Sequence, residues 1–290
     1  MLSPKLNYFS PKSTDELAGI LADHRGNARI LAGGTDIIPN MLSKLYKVDY
    51  LVDIGGIKAL QGISYKAGKG LVIGAAAKMK AIERSSIIRE RFTALHRAAS
   101  EVGSPQVRAM ATIGGNSCNA SPAADTPPAL TALGASVTLA GKAGKRELPI
   151  EAFILGNRLT DLKPGEFLES FFLPDPPRRS ASRFGLITLR QAVEIDVASL
   201  AVFLALDGSG KVTGCRIAMG SVAPVPLRAK EAESILVGQS LDDKRIEAAA
   251  TICAEESKPI DDIRASAAYR RRLIKVLAYR TVTETLAAIR

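Results

Sequence analysis

The hexapeptide Pro174-Asp175-Pro176-Pro177-Arg178-Arg179 limits what this chain can fold into more than any other stretch. Proline offers no backbone N–H and holds φ fixed, so neither a helix interior nor a central strand runs through such a cluster. The segment 174–179 reads as a polar linker, with separate units folding on either side. With 290 residues to divide, two or three small cores are expected rather than one continuous core.

Upstream of the linker, Ser13-Thr14-Asp15-Glu16 has the capping-box pattern, with Ser13 as N-cap and Glu16 reaching back. Leu17, Ile20 and Leu21 then supply a helical stripe. A short buried strand is predicted at 28–32, a short helix at 37–45 and a second strand at 48–54. Pro39 falls in the first turn of that helix, where N–H groups lack helical partners anyway. Residues 1–56 therefore read as a small α/β unit, and 57–173 as a mainly antiparallel sheet with peripheral helices. The second unit carries a hairpin at Gly68-Lys69-Gly70, a helix over 87–102, a glycine-rich stretch without period at 103–128, another hairpin at 141–144 and a strand at 167–173. In 180–290 three strands are predicted, at 183–191, 199–206 and 212–220, with Asp207-Gly208-Ser209-Gly210 turning between the last two. Helical patterns follow at 228–237, 242–256 and 267–289. The fold class expected is α+β.

No apolar run reaches the roughly 18 to 20 residues a membrane helix needs, and the first ten residues lack the basic start and apolar core of a secretory signal. A cytoplasmic protein is expected. Cys118, Cys215 and Cys253 form no C-x-x-C pair, and His24 and His96 are the only histidines, so no metal or cysteine-held cluster is expected in this chain. Redox chemistry here would fall to an organic cofactor. The formal charge of +10 is spread along the chain, and there is no tryptophan to stack on bases, which counts against nucleic acid. A basic surface suits an acidic partner subunit or an anionic cofactor. The densest cluster, Arg270-Arg271-Arg272 with Lys275 and Arg280, reads as a solvated helix face or a subunit interface.

Two loops carry the chemistry. Gly33-Gly34-Thr35-Asp36 joins a strand to a helix, and its glycines let backbone approach a ligand while helix-opening N–H groups face phosphate oxygens. It matches neither common nucleotide motif, and taken alone it reads more readily as a tight strand-to-helix turn with Thr35 or Asp36 as N-cap. The second runs from Thr112 to Asp125, without charge until its last residue. Its small residues permit close approach, and Asn116, Asn119, Ser121 and Asp125 offer polar contacts.

Ala32-Gly33-Gly34-Thr35-Asp36 and Ala111-Thr112-Ile113-Gly114-Gly115-Asn116, followed by Asn119-Ala120-Ser121-Pro122-Ala123-Ala124-Asp125, resemble the two FAD loops of a known family. That family is the flavin-binding medium subunits of molybdenum hydroxylases: xanthine dehydrogenase, aerobic carbon monoxide dehydrogenase and 4-hydroxybenzoyl-CoA reductase. Order and spacing match, and the resemblance covers the whole chain. It implies a two-subdomain FAD-binding domain (PCMH/MurB-like) followed by a C-terminal domain of antiparallel sheet plus helices. It also implies that main-chain N–H groups of Gly33, Gly34, Thr35 and Asp36 hold the pyrophosphate, with Ala32 and Ile37 lining the cofactor. Thr112, Ile113, Gly114, Gly115 and Asn116 would form the facing wall, again largely through backbone, with Ser121 beyond them. Asp125 would accept a hydrogen bond from a ribose hydroxyl. Arg190 would stand near the flavin ring, where a cation favours the electron-rich reduced form; read without the resemblance, it is an exposed strand arginine. Two features depart from the family: Ala109 follows Gln106-Val107-Arg108 where Asn is usual, and no cysteine-bearing insert is present. Cys118 could approach the flavin or simply fill a small buried space.

The function implied is a relay. A large subunit with a molybdenum cofactor oxidises the substrate, a small [2Fe–2S] subunit passes single electrons, and FAD on this chain collects them. The assembly implied is a dimer of heterotrimers, and no side chain of this chain need act as a substrate acid or base. Two other readings stand beside it: a stand-alone FAD-dependent oxidoreductase of related fold, and a flavin-free assembly subunit.

Overall fold

Ser13 opens the first helix as its pattern requires, its hydroxyl accepting the Glu16 N–H at 3.1 Å. Glu16 reaches back one residue further than a capping box would, accepting the Lys12 N–H at 2.7 Å. The computed structural model describes residues 6–190 and 193–289. Its first elements are β1 (Asn7–Phe9), α1 (Thr14–Asp23), β2 (Ala28–Leu31), α2 (Ile37–Leu42) and β3 (Tyr50–Asp53). The three strands form a parallel sheet in the order β1-β3-β2. β1 was not foreseen, because three residues paired with a partner far along the chain leave no local period. β2 is half-covered rather than buried. Leu17 and Leu21 of α1 pack with Val52, Ile54 and Leu60, and also with Phe167 from the next sheet.

Next come β4 (Ile63–Lys66), β5 (Gly70–Gly74), α3 (Met79–Arg84), α4 (Ser86–Arg91), α5 (Thr93–Glu101), α6 (Pro105–Met110), α7 (Ile113–Asn119), α8 (Thr126–Ala132), β6 (Ser136–Gly141), β7 (Gly144–Pro149), α9 (Ile150–Phe153), β8 (Ile154–Gly156), β9 (Leu159–Thr160) and β10 (Phe167–Pro174). An antiparallel sheet runs β4-β5-β10-β6-β7. The single helix predicted over 87–102 is instead α4 and α5, parted at Phe92, whose ring is wholly buried and meets Tyr65 edge-on. The stretch 103–128, read as aperiodic loop, contains α6, α7 and the start of α8. Caps rather than an apolar stripe form α6 and α7: Ser104 accepts the Val107 N–H at 3.2 Å, and Thr112 accepts the Gly115 N–H at 3.0 Å. Hydrophobic periodicity cannot detect a helix whose residues are Gly, Asn, Ser and Cys.

The last unit holds β11 (Ser180–Ile187), β12 (Ala198–Leu206), β13 (Val212–Gly220), β14 (Leu227–Arg228), α10 (Lys230–Leu236), α11 (Asp243–Glu256) and α12 (Ala267–Ala287). Its antiparallel sheet runs β11-β12-β13-β14. β11 ends before Arg190, and the predicted strand end at Gln191 lies outside the described residues. β12 is buried along nearly its whole length because both faces are covered. Ala201, Phe203 and Ala205 pack into the core of the middle unit, while Leu200, Val202 and Leu204 face α11 and α12. The segment after β10 is tied down as well: Asp175 accepts hydrogen bonds from Tyr65 Oη at 2.8 Å, Gly68 N–H at 2.7 Å and Arg91 Nη2 at 2.8 Å. Ser182 of β11 accepts the Ala94 N–H at 3.1 Å, satisfying an otherwise orphaned donor in the first turn of α5. Among the described residues no helix is long and apolar enough to cross a membrane.

Candidate functional site

The first loop leaves the C-terminal end of β2, the edge at which parallel sheets commonly open onto ligands. The chain turns through Gly34, whose φ of +78° suits glycine, and enters α2. The first bond of that helix is Ile38 N–H to the Gly34 carbonyl at 3.2 Å. Among the described residues, the N–H groups of Gly33, Gly34, Thr35, Asp36 and Ile37 donate to no protein acceptor. Such a run is costly to leave without water or a ligand, and it matches the donors that a pyrophosphate requires.

Two contacts join this loop to the second. A Cβ on Gly33 would lie 2.4 Å from the Met110 carbonyl oxygen and 2.8 Å from Ala111 Cα, so the loops touch backbone to backbone. Asn119 Nδ2 donates to Asp36 Oδ1 at 3.0 Å across the same junction. Lys78 braces the carbonyl side of this contact, its amine donating to the Met110 carbonyl at 2.9 Å, and burial lowers its pKa.

The second loop is built differently from the expectation. Ile113 N–H donates to Ala77 at 3.1 Å, Gly114 to Ala75 at 2.8 Å, Gly115 to the Thr112 hydroxyl and Asn116 to the Thr112 carbonyl at 3.0 Å. Those four amides are therefore committed to the fold, while the Thr112 N–H has no protein acceptor among the described residues. What the segment presents is small surface. Gly114 is pressed onto Ala75, where a Cβ would meet the carbonyl oxygen at 2.5 Å. Thr112→Val keeps the shape of the cap residue but removes its acceptor. The expected cost is about 1 kcal/mol, read as a lower urea midpoint; an unchanged midpoint would mean that the cap contributes nothing.

Asn116 Oδ1 accepts the Thr126 hydroxyl at 2.6 Å, and Ser121 Oγ accepts the Ala123 N–H at 3.3 Å. Ala32 and Ile37 are half-buried beside the first loop. Asp125 is half-buried at the start of α8, and burial, together with the charge of Glu101, raises its pKa. Asp196, which sequence reasoning missed, is 3% exposed, and its Oδ2 has no hydrogen-bond partner among the described residues. Burial and the charge of Asp125 push its pKa up too. Arg190 is not brought against either loop by a hydrogen bond. Its Nη2 donates to Val193 at 2.8 Å, and its Nε pairs with Glu194 at 3.0 Å. It does line a cleft of about 240 Å³ together with Ser104, Arg108, Thr188, Glu194 and Asp196, beside α6, which leads into the second loop. Arg108, beside the atypical Ala109, is fixed by Glu83 at 3.1 Å and by the carbonyls of Val102 and Gly103. Burial pushes the Cys118 thiol up to about 12, and the side chain packs against the middle core as a small, partly buried group.

Residues 4–176 match the family described as the FAD binding domain in molybdopterin dehydrogenase, and residues 187–285 match the CO dehydrogenase flavoprotein C-terminal domain. The chain belongs to this FAD-binding flavoprotein family. It is 32% identical over 282 residues to the carbon monoxide dehydrogenase medium chain of Afipia carboxidovorans, spanning 97% of each chain. It is 30% identical to the xanthine dehydrogenase FAD-binding subunit of Escherichia coli O157:H7, over 97% of this chain and 96% of that protein. A chain of the carbon monoxide dehydrogenase from Hydrogenophaga pseudoflava superposes with a TM-score of 0.94 at 30% identity, covering 100% of both chains. A family FAD site therefore belongs in this fold, and the residues fit one. Free N–H groups stand at 33–37, and the glycines at 33 and 114 leave no room for a Cβ.

Proposed function

We propose that this chain is the flavin-carrying relay subunit of a three-subunit molybdenum-containing hydroxylase or dehydrogenase. The main support is a single juxtaposition: five unpartnered N–H groups on a loop packed backbone to backbone against the residues that lead into the second loop. In this reading Gly33, Gly34, Thr35 and Asp36 bind the pyrophosphate, with Ala32 and Ile37 alongside. Thr112, Ile113, Gly114, Gly115 and Asn116 form the opposing wall, through the Thr112 N–H and the flat glycine surfaces. Ser121 offers a hydroxyl, and Asp125 accepts from a ribose hydroxyl. Arg190, at the cleft beside α6, attracts negative charge and so favours the reduced ring. FAD, when bound, supplies the exchange between single electrons and electron pairs. The chain's own residues bind and orient it, and none serves as acid or base toward the substrate.

The partners are a large subunit with the molybdenum cofactor and a small subunit with [2Fe–2S] clusters, assembled as a dimer of heterotrimers in the cytoplasm. The sheets β1-β3-β2, β4-β5-β10-β6-β7 and β11-β12-β13-β14, which do not share a strand, support divisions at 1–56, 57–173 and 180–290, with 174–179 as linker. Purification with the native partners tests the function. The expected result is a flavin spectrum with co-purifying iron and molybdenum, and little substrate oxidation by this chain alone. Turnover by the isolated chain would make it a stand-alone oxidoreductase, and a colourless complex would make it an assembly subunit.

A further inference from the structure

Arg270 stands in a run of three arginines but differs from its neighbours: it is 3% exposed, whereas Arg271 and Arg272 face solvent. This corrects the reading of the whole run as a solvated or subunit-facing surface. Its Nη1 donates to the Val197 carbonyl at 2.6 Å and to the Ser221 carbonyl at 3.0 Å, and its Nη2 pairs with Asp262 at 2.8 Å. Both carbonyls belong to segments that abut the second loop. Val197 follows Asp196, the buried carboxyl that interacts with Asp125. Ser221 N–H donates to the Pro122 carbonyl at 2.9 Å, between Ser121 and Asp125.

The Ser221 corner is also strained. Its φ is +62°, a region that costs a residue with a side chain, and such a conformation persists only when its surroundings over-determine it. Gly220, just before it, is wedged so that a Cβ would fall 2.5 Å from Ser199 Oγ and 2.7 Å from Pro128 Cγ. A buried guanidinium held by a carboxylate and two carbonyls fixes such a corner in a way that an apolar side chain cannot, because its donors are directional.

We propose that Arg270 is a positioning residue for the cofactor: from α12 it clamps the Val197 and Ser221 carbonyls and, through the Ser221–Pro122 bond, sets the Ser121–Asp125 end of the second loop. The C-terminal domain thereby takes part in holding FAD without touching it. This rests on the reading that FAD lies against that loop.

The test compares Arg270→Lys, Arg270→Met and Ile274→Ala in the FAD-loaded native complex. Ile274 is fully buried one turn further along α12 in the C-terminal core, and its side chain has no donor for the Val197 and Ser221 carbonyls, so its truncation lowers stability without unclamping them. FAD release is followed by flavin fluorescence at a fixed interval below each variant's own Tm, and amide exchange is followed at 120–126. Arg270→Met is expected to release FAD about tenfold faster and Arg270→Lys about threefold faster, in line with loss of one charge-assisted hydrogen bond or part of one. Both are expected to raise exchange at 120–126, while Ile274→Ala changes neither. Should Arg270→Met fail to accumulate, the lysine variant carries the comparison. Arg270→Lys matching Ile274→Ala in both readouts would overturn the proposal. If Gly33→Ala also released FAD at the wild-type rate, the assignment of the FAD site would be at fault instead, and exchange at 120–126 in the unloaded chain would still decide the clamp.

Discussion

Gly33→Ala is expected to leave a folded chain that has lost at least about two orders of magnitude in FAD affinity, roughly 2.7 kcal/mol. The new methyl group would sit 2.4 Å from the Met110 carbonyl oxygen, against main chain that Lys78 and the α3 bonds hold in place. Neither side can yield cheaply, so the loops must separate, and overpacking of this kind costs about 1–3 kcal/mol. Separation would disorder the run of N–H groups proposed to hold the pyrophosphate. Gly62→Ala is the control, since no atom lies within 4 Å of its new Cβ and its φ is unremarkable. A flavin fluorescence titration should distinguish the two variants clearly. Equal affinities would mean that Gly33 does not set the spacing of the site.

The unloaded chain is expected to become less stable as pH rises from 5 to 9, contrary to the usual behaviour of a protein rich in ion pairs. Asp125 and Asp196 are both raised, first by burial and then by neighbouring carboxylates, and no cation neutralises them among the described residues. The folded chain therefore holds a proton more tightly than the unfolded one. The resulting stability is complete below the ordinary carboxylate pKa of about 4, and it is lost as pH climbs through the folded values, which extend to about 8. Each unit of displacement is worth about 1.4 kcal/mol, so a loss of only about two units by the pair across this range lowers Tm by roughly 5–10 °C, at about 2–4 °C per kcal/mol for a long chain. Asp262 works in the opposite sense, being held down to about 2 by the Arg264 N–H and by Arg270, but it titrates in acid, outside this window. Asp196→Asn should abolish most of the dependence and melt above the wild type at pH 9. Parallel melting curves for the two proteins across that range would show that the pair ionises freely.

The legible parts of the fold were those with local chemistry. Ser13, the Gly68-Lys69-Gly70 turn, the Asp207-Gly208-Ser209-Gly210 turn and the helices α11 and α12 are each specified by residues within a few positions of one another. β1 and β14 escaped because two or three residues carry no period and gain their meaning from distant partners. α6 and α7 escaped because their N-caps, Ser104 and Thr112, outweigh a composition that reads as loop. The small-residue motifs pointed to both halves of the proposed site, yet not to how differently their amides are bonded. That the Ile113–Asn116 amides are bonded internally depends on where Ala75 and Ala77 lie. Arg270 was readable after all: it falls on the same helical stripe as Leu273, Ile274 and Leu277, and only its two arginine neighbours disguised it. Asp196 had no such signal, since the cleft it lines is shared with Glu101, Ser104 and Arg108, which lie far from it in the sequence.

The central claim is that two segments far apart in sequence grip one FAD, the first through its main-chain N–H groups. Amide exchange of the flavin-free chain, with and without saturating FAD, addresses it directly. The expected result is slowed exchange at 33–37 and at Thr112 together, with little change at 113–116, whose amides are already bonded. Slowed exchange in only one segment, or in neither while FAD is demonstrably bound, would contradict it.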